Sequence, residues 1–222
     1  MKTFAIGDVH GCFDAVKSVM KLASISSSDL VVWLGDYVDR GPDSAKVVDY
    51  LSNLDRSKNV FLCGNHEIMM ANARGNIDSM RSWASCGGDE TWDSYIREFG
   101  GENGIESVPD HHWAFIEQLK PYYETDTHIF VHAAIDGELD MSDQFDETLF
   151  WEKFRSISPH FSGKHVVCGH SSQKDGIPNA RPHATCIDTW ACGGAWLTCL
   201  DVNARRYYQA NQQGDTNVEW LD

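Results

Sequence analysis

The sequence predicts an α/β protein, mixed in its second half, with a central β-sandwich flanked by helices. Three observations predict it. Residues 3–7, 30–35 and 59–64 are apolar runs that each end at glycine, as buried strands do when they leave a sheet for a loop. Segments with helical spacing lie between them. Beyond residue 120 the apolar runs crowd together, as strands of a sandwich do.

After the first run, Val16, Val19, Met20 and Ala23 share one face of a helix over 14–23. After the second, Pro42 suits a first helical turn ahead of a helix over 44–54. Residues 66–120 read as mostly helical, broken at Gly75, Gly87, Gly88, Gly100 and Gly101, with Pro109 opening a helix over 110–119. Residues 128–132, 165–169, 185–188, 195–202 and 205–210 are strand candidates; 196–202 and 206–210 read as a hairpin across Asn203 and Ala204. The expected sheet therefore starts with strand–helix–strand units and finishes antiparallel, with ligand loops at strand C-terminal ends. The polar stretch 212–222 is expected as a tail or an edge. No repeat, linker or low-complexity tract interrupts the 222 residues, so a single domain over 1–222 is expected.

Lys and Arg number 18 against 33 Asp and Glu, a formal net charge of −15. That balance argues against nucleic acid or an anionic membrane as partner, since both need a basic face. It does not exclude a small phosphorylated substrate met by a few local cations. A hydrophobic fraction of 42% with eight Trp belongs to a globular chain. No apolar run approaches the roughly 18 residues of a membrane span, and residues 1–6 are too short for a signal segment. Seven Cys without a C-x-x-C pair suit a reducing cytoplasm. Ten His in an acidic chain point to metal.

Three motifs follow the first three strands. In Gly7-Asp8-Val9-His10-Gly11, side chains two apart point the same way, so Asp8 and His10 can reach one ion while Val9 turns inward. In Gly35-Asp36-Tyr37-Val38-Asp39-Arg40-Gly41, Asp36 sits at the equivalent strand end and its two oxygens can bridge two ions. Arg40 offers a planar fork for phosphate. In Gly64-Asn65-His66-Glu67, the Asn65 amide oxygen can ligate a hard cation, and His66 can donate a proton if a carboxylate such as Asp39 holds its other nitrogen. His132 and His170 each end an apolar run in the same way. Any one of these is ordinary in a structural role; five sets at one sheet edge are not.

These motifs, in this order, resemble the phosphoprotein phosphatase branch of the calcineurin-like metallophosphoesterases, and the likeness runs from Asp8 to the strand around Ile187-Asp188-Thr189. The short length resembles the bacterial and phage lambda-type subgroup. Trp83-Ala84-Ser85-Cys86-Gly87-Gly88 is similar to a Trp…Asn-Gly-Gly stretch of that subgroup, with Cys86 in place of Asn. The resemblance implies one ion held by Asp8, His10 and Asp36 and a second held by Asp36, Asn65, His132 and His170. It implies His66 as general acid paired with Asp39, and Arg40 with Asn65 at the substrate phosphate. Two departures stand out. Ala133 and Ala134 follow His132 where the family often has a glycine. Lys153 replaces a phosphate-binding Arg two residues after Trp151; Lys153 and Arg155 are the candidates for its task.

The expected activity is metal-dependent hydrolysis of phosphoserine or phosphothreonine on proteins or peptides, through a hydroxide held between two divalent ions. Mn suits the mixed oxygen and imidazole set first, with Fe or Zn as alternatives. A symmetrical bis(5'-nucleosyl)-tetraphosphate hydrolase is the alternative chemistry; Glu67 favours the phosphatase, since the dinucleotide enzymes tend to have Asp there. A non-catalytic, metal-stabilised binding module is the alternative from another class. Outside the motifs, His111 and His112 are expected to face solvent, His128 and His165 to pair with backbone or carboxylates, His183 to lie in a loop, and Cys12 to pack quietly.

Overall fold

The three N-terminal runs become β1 (Thr3–Ile6), β2 (Leu30–Trp33) and β3 (Asn59–Phe61). They pair in parallel, with Phe4 opposite Val31 and Val31 opposite Asn59. Parallel strands are covered on both faces, which is why they read as unbroken apolar runs. Each ends short of its glycine, because Gly7, Gly35 and Gly64 already belong to the departing loops. This computed structural model describes residues 1–102 and 104–221.

α1 (Phe13–Ala23) and α2 (Ser44–Ser52) are the crossovers between these strands. The segment expected to be helical holds α3 (Asn65–Ala73), α4 (Ile77–Trp83), α5 (Asp89–Phe99) and α6 (Asp110–Glu117). A π-turn at Ala84–Gly88 joins α4 to α5, with Gly87 at φ 100°. Then follow β4 (Tyr122–Glu124), β5 (His128–Val131), α7 (Asp146–Trp151), β6 (His165–Cys168), β7 (Asn179–Ala180), β8 (Ala184–Cys186), β9 (Leu197–Asp201), β10 (Arg206–Ala210) and β11 (Thr216–Trp220).

Two sheets result, in the orders β11-β10-β9-β1-β2-β3 and β4-β5-β6-β8-β7. The first sheet starts parallel and finishes antiparallel, as expected, while the strand candidates at 128–132, 165–169 and 185–188 belong to the second. β5, β6 and β8 run parallel to one another, because long connections through α7 and the 169–183 loop link them. The hairpin β9–β10, with β11, instead returns to the first sheet and pairs β9 antiparallel to β1. β11 is the edge expected in the C-terminal stretch, of which Asp222 lies outside the described residues.

Alternation sorts the side chains into layers. Ala5, Val32, Leu34, Leu62, Phe130, Val167, Ile187 and Leu200 fill the space between the sheets. Phe4, Ile6, Val31, Trp33 and Phe61 face outward beneath Val16, Val19, Val48, Tyr95 and Phe115 of the helices. Ile129, Val131, Val166 and Cys168 do the same beneath Leu149 and Phe150 of α7. The loops leaving the C-terminal ends of β1, β2, β3, β5, β6 and β8 are therefore left to meet at one edge of the sandwich. Among the described residues no helix is long and apolar enough to cross a membrane.

Candidate functional site

The loops after β1 and β2 are tied to each other first. Val9 N and His10 N both donate to Asp36 O, at 3.0 and 2.7 Å, and Gly11 N donates to Tyr37 O at 2.9 Å. Val9 is fully buried, so Asp8 and His10 are turned to the same side, as the spacing predicts. A side chain at Gly11 would overlap the Gly41 carbonyl, so the two loops meet only because both positions are glycine.

Glu67, in the first turn of α3, then fastens the third loop to the second. Its carboxyl accepts from Asp36 N at 2.9 Å, Tyr37 N at 2.7 Å, Val38 N at 3.3 Å and Gly64 N at 2.9 Å. Burial and the neighbouring Asp36 push Glu67 up to about 7, against the pull of these donors. Gly64 has no room for a side chain, which would overlap Asp36 Oδ1. His66 N donates to that same oxygen at 3.1 Å.

Three imidazoles are held by backbone carbonyls and aim their other nitrogens at oxygen. His10 Nδ1 donates to Val38 O at 2.8 Å, and its Nε2 lies 3.4 Å from Asp36 Oδ2. His132 Nδ1 donates to Leu34 O at 2.9 Å, and its Nε2 lies 3.0 Å from Asn65 Oδ1 and 3.4 Å from Asp36 Oδ1. His170 Nε2 lies 3.1 Å from Trp151 O, and its Nδ1 lies 2.9 Å from Asn65 Oδ1. A carbonyl only accepts, so it fixes the tautomer and leaves a lone pair on the other nitrogen. The His132 lone pair then faces the Asn65 amide oxygen at 3.0 Å and Asp36 Oδ1 at 3.4 Å, an arrangement that repels unless a cation lies between. Donors around one ion at roughly 2.0–2.2 Å are spaced in this way. The residues therefore fit divalent metal, and two groups, His10–Asp36–His66 and Asp36–His132–His170, share Asp36.

Electrostatics agree with that fit. Burial lowers His10 and His170 to about 3, so both stay neutral and able to ligate. Burial alone would raise Asp36, but His132, His66, His10 and His170 around it hold it well below the usual carboxylate range. Burial, Asp188 and Asp36 raise Asp8 well above that range, a repulsion that a cation would relieve. Asp8 accepts from His170 N at 3.0 Å, which places it at the site but outside the two groups. Its position depends on Gly169, where a side chain would overlap Asp8 Oδ1.

His66 belongs to one group by distance, yet its Nδ1 is committed to Asp39 Oδ2 at 2.6 Å. Asp39 is fully buried and further held by Trp83 Nε1 at 2.8 Å and Thr91 Oγ1 at 2.8 Å. Burial works against a charged His66, but Asp36 and the bond to Asp39 outweigh it and raise its pKa. A raised imidazole on a carboxylate is the arrangement of a general acid.

Arg40 N donates to Gly87 O at 2.9 Å, and Arg40 Nη1 lies 2.9 Å from His10 Nε2. A side chain at Gly87 would overlap Arg40, which is the work the π-turn does here. Arg40, Asp36, His66, Lys153, His170 and Gln173 line a cavity of 360 Å³. Lys153 Nζ lies 3.1 Å from His170 Nε2. Arg155 lines a second cavity of 430 Å³ that shares Lys153, Ser171 and Gln173 with the first and adds Arg181. Lys153 and Arg155 thus occupy successive places along one cleft.

Sequence reasoning missed the parts that hold the site. Trp83 and Thr91 carry no signal of their own for Asp39. Asp188 ends β8 as Asp8 ends β1, and that strand-end position was the available clue; it is buried and accepts from Ser172 Oγ at 2.6 Å. His112 is corrected: it is fully buried against Tyr95, whose hydroxyl lies 3.0 Å from its Nδ1, and only His111 faces solvent. His165 bonds the Pro182 backbone, as expected, and also the Thr185 hydroxyl at 2.9 Å, whereas His128 pairs with the Thr127 hydroxyl at 2.8 Å. His183 Nε2 donates to Ile157 O at 3.1 Å. Burial pushes the Cys12 thiol up to about 12, in keeping with packing.

Residues 1–178 match the calcineurin-like phosphoesterase family. A symmetrical bis(5'-nucleosyl)-tetraphosphatase of Buchnera aphidicola is 29% identical over 144 residues, which is 64% of this chain and 47% of the relative. One of Wigglesworthia glossinidia brevipalpis is 42% identical over 69 residues, 31% of this chain and 25% of the relative. The alignments thus span between a quarter and about half of these relatives. Among solved structures, a candidate diadenosine tetraphosphatase superposes with a TM-score of 0.68 at 19% identity, covering 99% of this chain and 93% of that one. A cold-active protein-tyrosine phosphatase of a psychrophilic Shewanella gives 0.62 at 18% identity, with 98% and 80% covered. At such identities the likeness is one of fold.

Proposed function

The chain belongs to the calcineurin-like phosphoesterase family, and from that premise we propose that it is a metal-dependent hydrolase of dinucleoside polyphosphates, cleaving them symmetrically. The observation that carries this reading is the row of cations Arg40, Lys153, Arg155 and Arg181 along two adjoining cavities. A single phosphate needs one such partner; a chain of phosphates needs several in line. The symmetrical tetraphosphatases among its relatives support the same choice. The sequence feature that favoured a phosphoprotein substrate, Glu67, loses its weight, because Glu67 is buried and spends its carboxyl on backbone N–H groups.

The roles we assign are supported by this geometry. Asp8, His10, Asp36, Asn65, His132 and His170 would hold two divalent ions, with Mn the first choice for this oxygen and imidazole set. Such a pair supplies Lewis acidity and an activated nucleophile at neutral pH. Arg40 sits at the mouth of the same cavity, where its fork can bind the equatorial phosphate oxygens as charge develops. His66, protonated and oriented by Asp39, gives its proton to the departing oxygen. Trp83 and Thr91 keep Asp39 in place while this happens. Lys153, Arg155 and Arg181 hold the remaining phosphates.

Diadenosine tetraphosphate and a phosphoserine peptide, assayed side by side with Mn, test the reading. The expected result is a higher kcat/KM for the dinucleotide, with ADP as the sole product. Faster turnover of the peptide would overturn it in favour of a phosphoprotein phosphatase.

A further inference from the structure

On the outer helical layer, away from the cleft, α2 and α6 bring three metal-competent side chains together. Asp49 Oδ1 lies 3.4 Å from His112 Nε2 and 3.8 Å from His111 Nε2, and the three ligand atoms all fall within 4.8 Å of one another. We propose that Asp49, His111 and His112 form a zinc site that clips α2 to α6.

Four ligands at zinc's distance of 2.0–2.1 Å lie roughly 3.3–3.4 Å apart in a tetrahedron, and the two contacts to Asp49 are close to that edge. Two imidazoles and one carboxylate are a set that zinc takes, with water at the fourth position. The support behind the ligands is also in place. His112 is fully buried, and its Nδ1 lies 3.0 Å from the Tyr95 hydroxyl. An ion on Nε2 would place the ring proton on Nδ1, where the Tyr95 hydroxyl oxygen can accept it, as the outer partner of a ligating histidine does. Phe99 packs edge-on against the same ring, at 5.5 Å between centroids, and limits its rotation. Among the described residues no lysine or arginine pairs with Asp49; only the two imidazoles face it. A carboxylate without a cation, in a chain of net charge −15, is open to one from solution.

The proposed catalytic centre would also bind metal, so the test counts ions by difference. Wild type, His111→Ala and Asp49→Asn are equilibrated at one buffered zinc concentration, and zinc per chain is measured by plasma emission. His111 and Asp49 side chains are 60% and 54% exposed, so truncating them leaves the core intact. The expected result is one zinc fewer in each variant, with turnover of an aryl phosphate unchanged. Cobalt(II) in place of zinc should leave the strong d–d bands of a tetrahedral ion in the spectrum of wild type minus His111→Ala. Equal zinc in all three proteins, or a featureless difference spectrum, would overturn the proposal.

Discussion

Replacing Glu67 separates what holds the site from what touches substrate. Glu67→Ala leaves Asp36 N, Tyr37 N, Val38 N and Gly64 N without an acceptor in a buried loop junction. An orphaned buried donor costs about 1–3 kcal/mol, so the three short bonds amount to about 3–9 kcal/mol. Relief of the repulsion with Asp36, and water entering the space, offset part of that. The expected loss is about 3–5 kcal/mol, a large share of the 5–15 kcal/mol typical of a folded domain. Urea unfolding in the presence of a chelator measures it free of metal linkage. Glu67→Asp keeps the carboxyl but is one methylene too short to reach every donor, so it should cost about 1–2 kcal/mol. The ratio of dinucleotide to phosphopeptide turnover should not change in Glu67→Asp, since the side chain faces backbone and not the cleft. A loss under about 1 kcal/mol in Glu67→Ala, or a shift in substrate preference in Glu67→Asp, would refute this account.

His66→Asn should lower kcat by about 10²–10⁴ with metal content kept; parallel loss of metal would make His66 a ligand instead of the acid. Asp39→Asn removes a partner that raises the His66 pKa, so the imidazole loses its proton at lower pH. Since rate falls as the acid deprotonates, the alkaline limb of kcat should move to lower pH, and an unmoved limb would detach Asp39 from the role. Arg155→Ala and Arg181→Ala should each reduce kcat/KM for diadenosine tetraphosphate roughly 5-fold, the effect of a screened contact worth about 1 kcal/mol, while turnover of an aryl phosphate stays level. Raising salt should lower kcat/KM for the dinucleotide, because the nearby cations lie within a Debye length and the distant acidic surface does not; a rise with salt would mean that the global charge governs approach.

The first half of the fold is legible because its signals are local. A parallel strand buried on both faces is one apolar run, and the glycine that ends it marks the loop. The second half depends on which strand pairs with which. β9 lies beside β1 although nearly 200 residues separate them, and nothing in either segment specifies that partner. Strands as short as β7 leave too little alternation to detect. The site divides in the same way. Asp8, His10, Asp36, Asn65, His132 and His170, the proposed ligands, are legible because metal chemistry would restrict the residue types at strand ends. Thr91 is not, and the supporting roles of Trp83 and Glu67 are not, because any buried donor or acceptor of the right reach could serve. His111 and His112 are adjacent and of one type; Tyr95 and Phe99, from another helix, decide which of them is buried.

Backbone conformation offers an independent measure of how much the site demands of the fold. His10, Asp36, Asp39, Arg40 and His170 all have left-handed φ, between 43° and 73°. Elsewhere among the described residues only Ser24, Trp190 and Arg205 do so without being glycine. A side chain in that region costs about 1 kcal/mol or more, somewhat less for Asp. Glycine at the same positions would relieve the strain and remove three proposed ligands, the partner of the proposed acid and the proposed phosphate fork together. The strain is concentrated where a strand must stop and turn its next side chain toward a shared point. It is offset locally, by the donors of Val9 and His10 to Asp36 O, by Gly87 O beneath Arg40 and by the Glu67 carboxyl across the turn. These bonds make the loops rigid before any ion arrives. The charge pattern favours ions at these positions: Asp8 is raised by burial and by its acidic neighbours, and the His132 lone pair points at the Asn65 oxygen. The backbone is already committed to the geometry, so cation binding has repulsion to relieve and little conformational entropy to overcome.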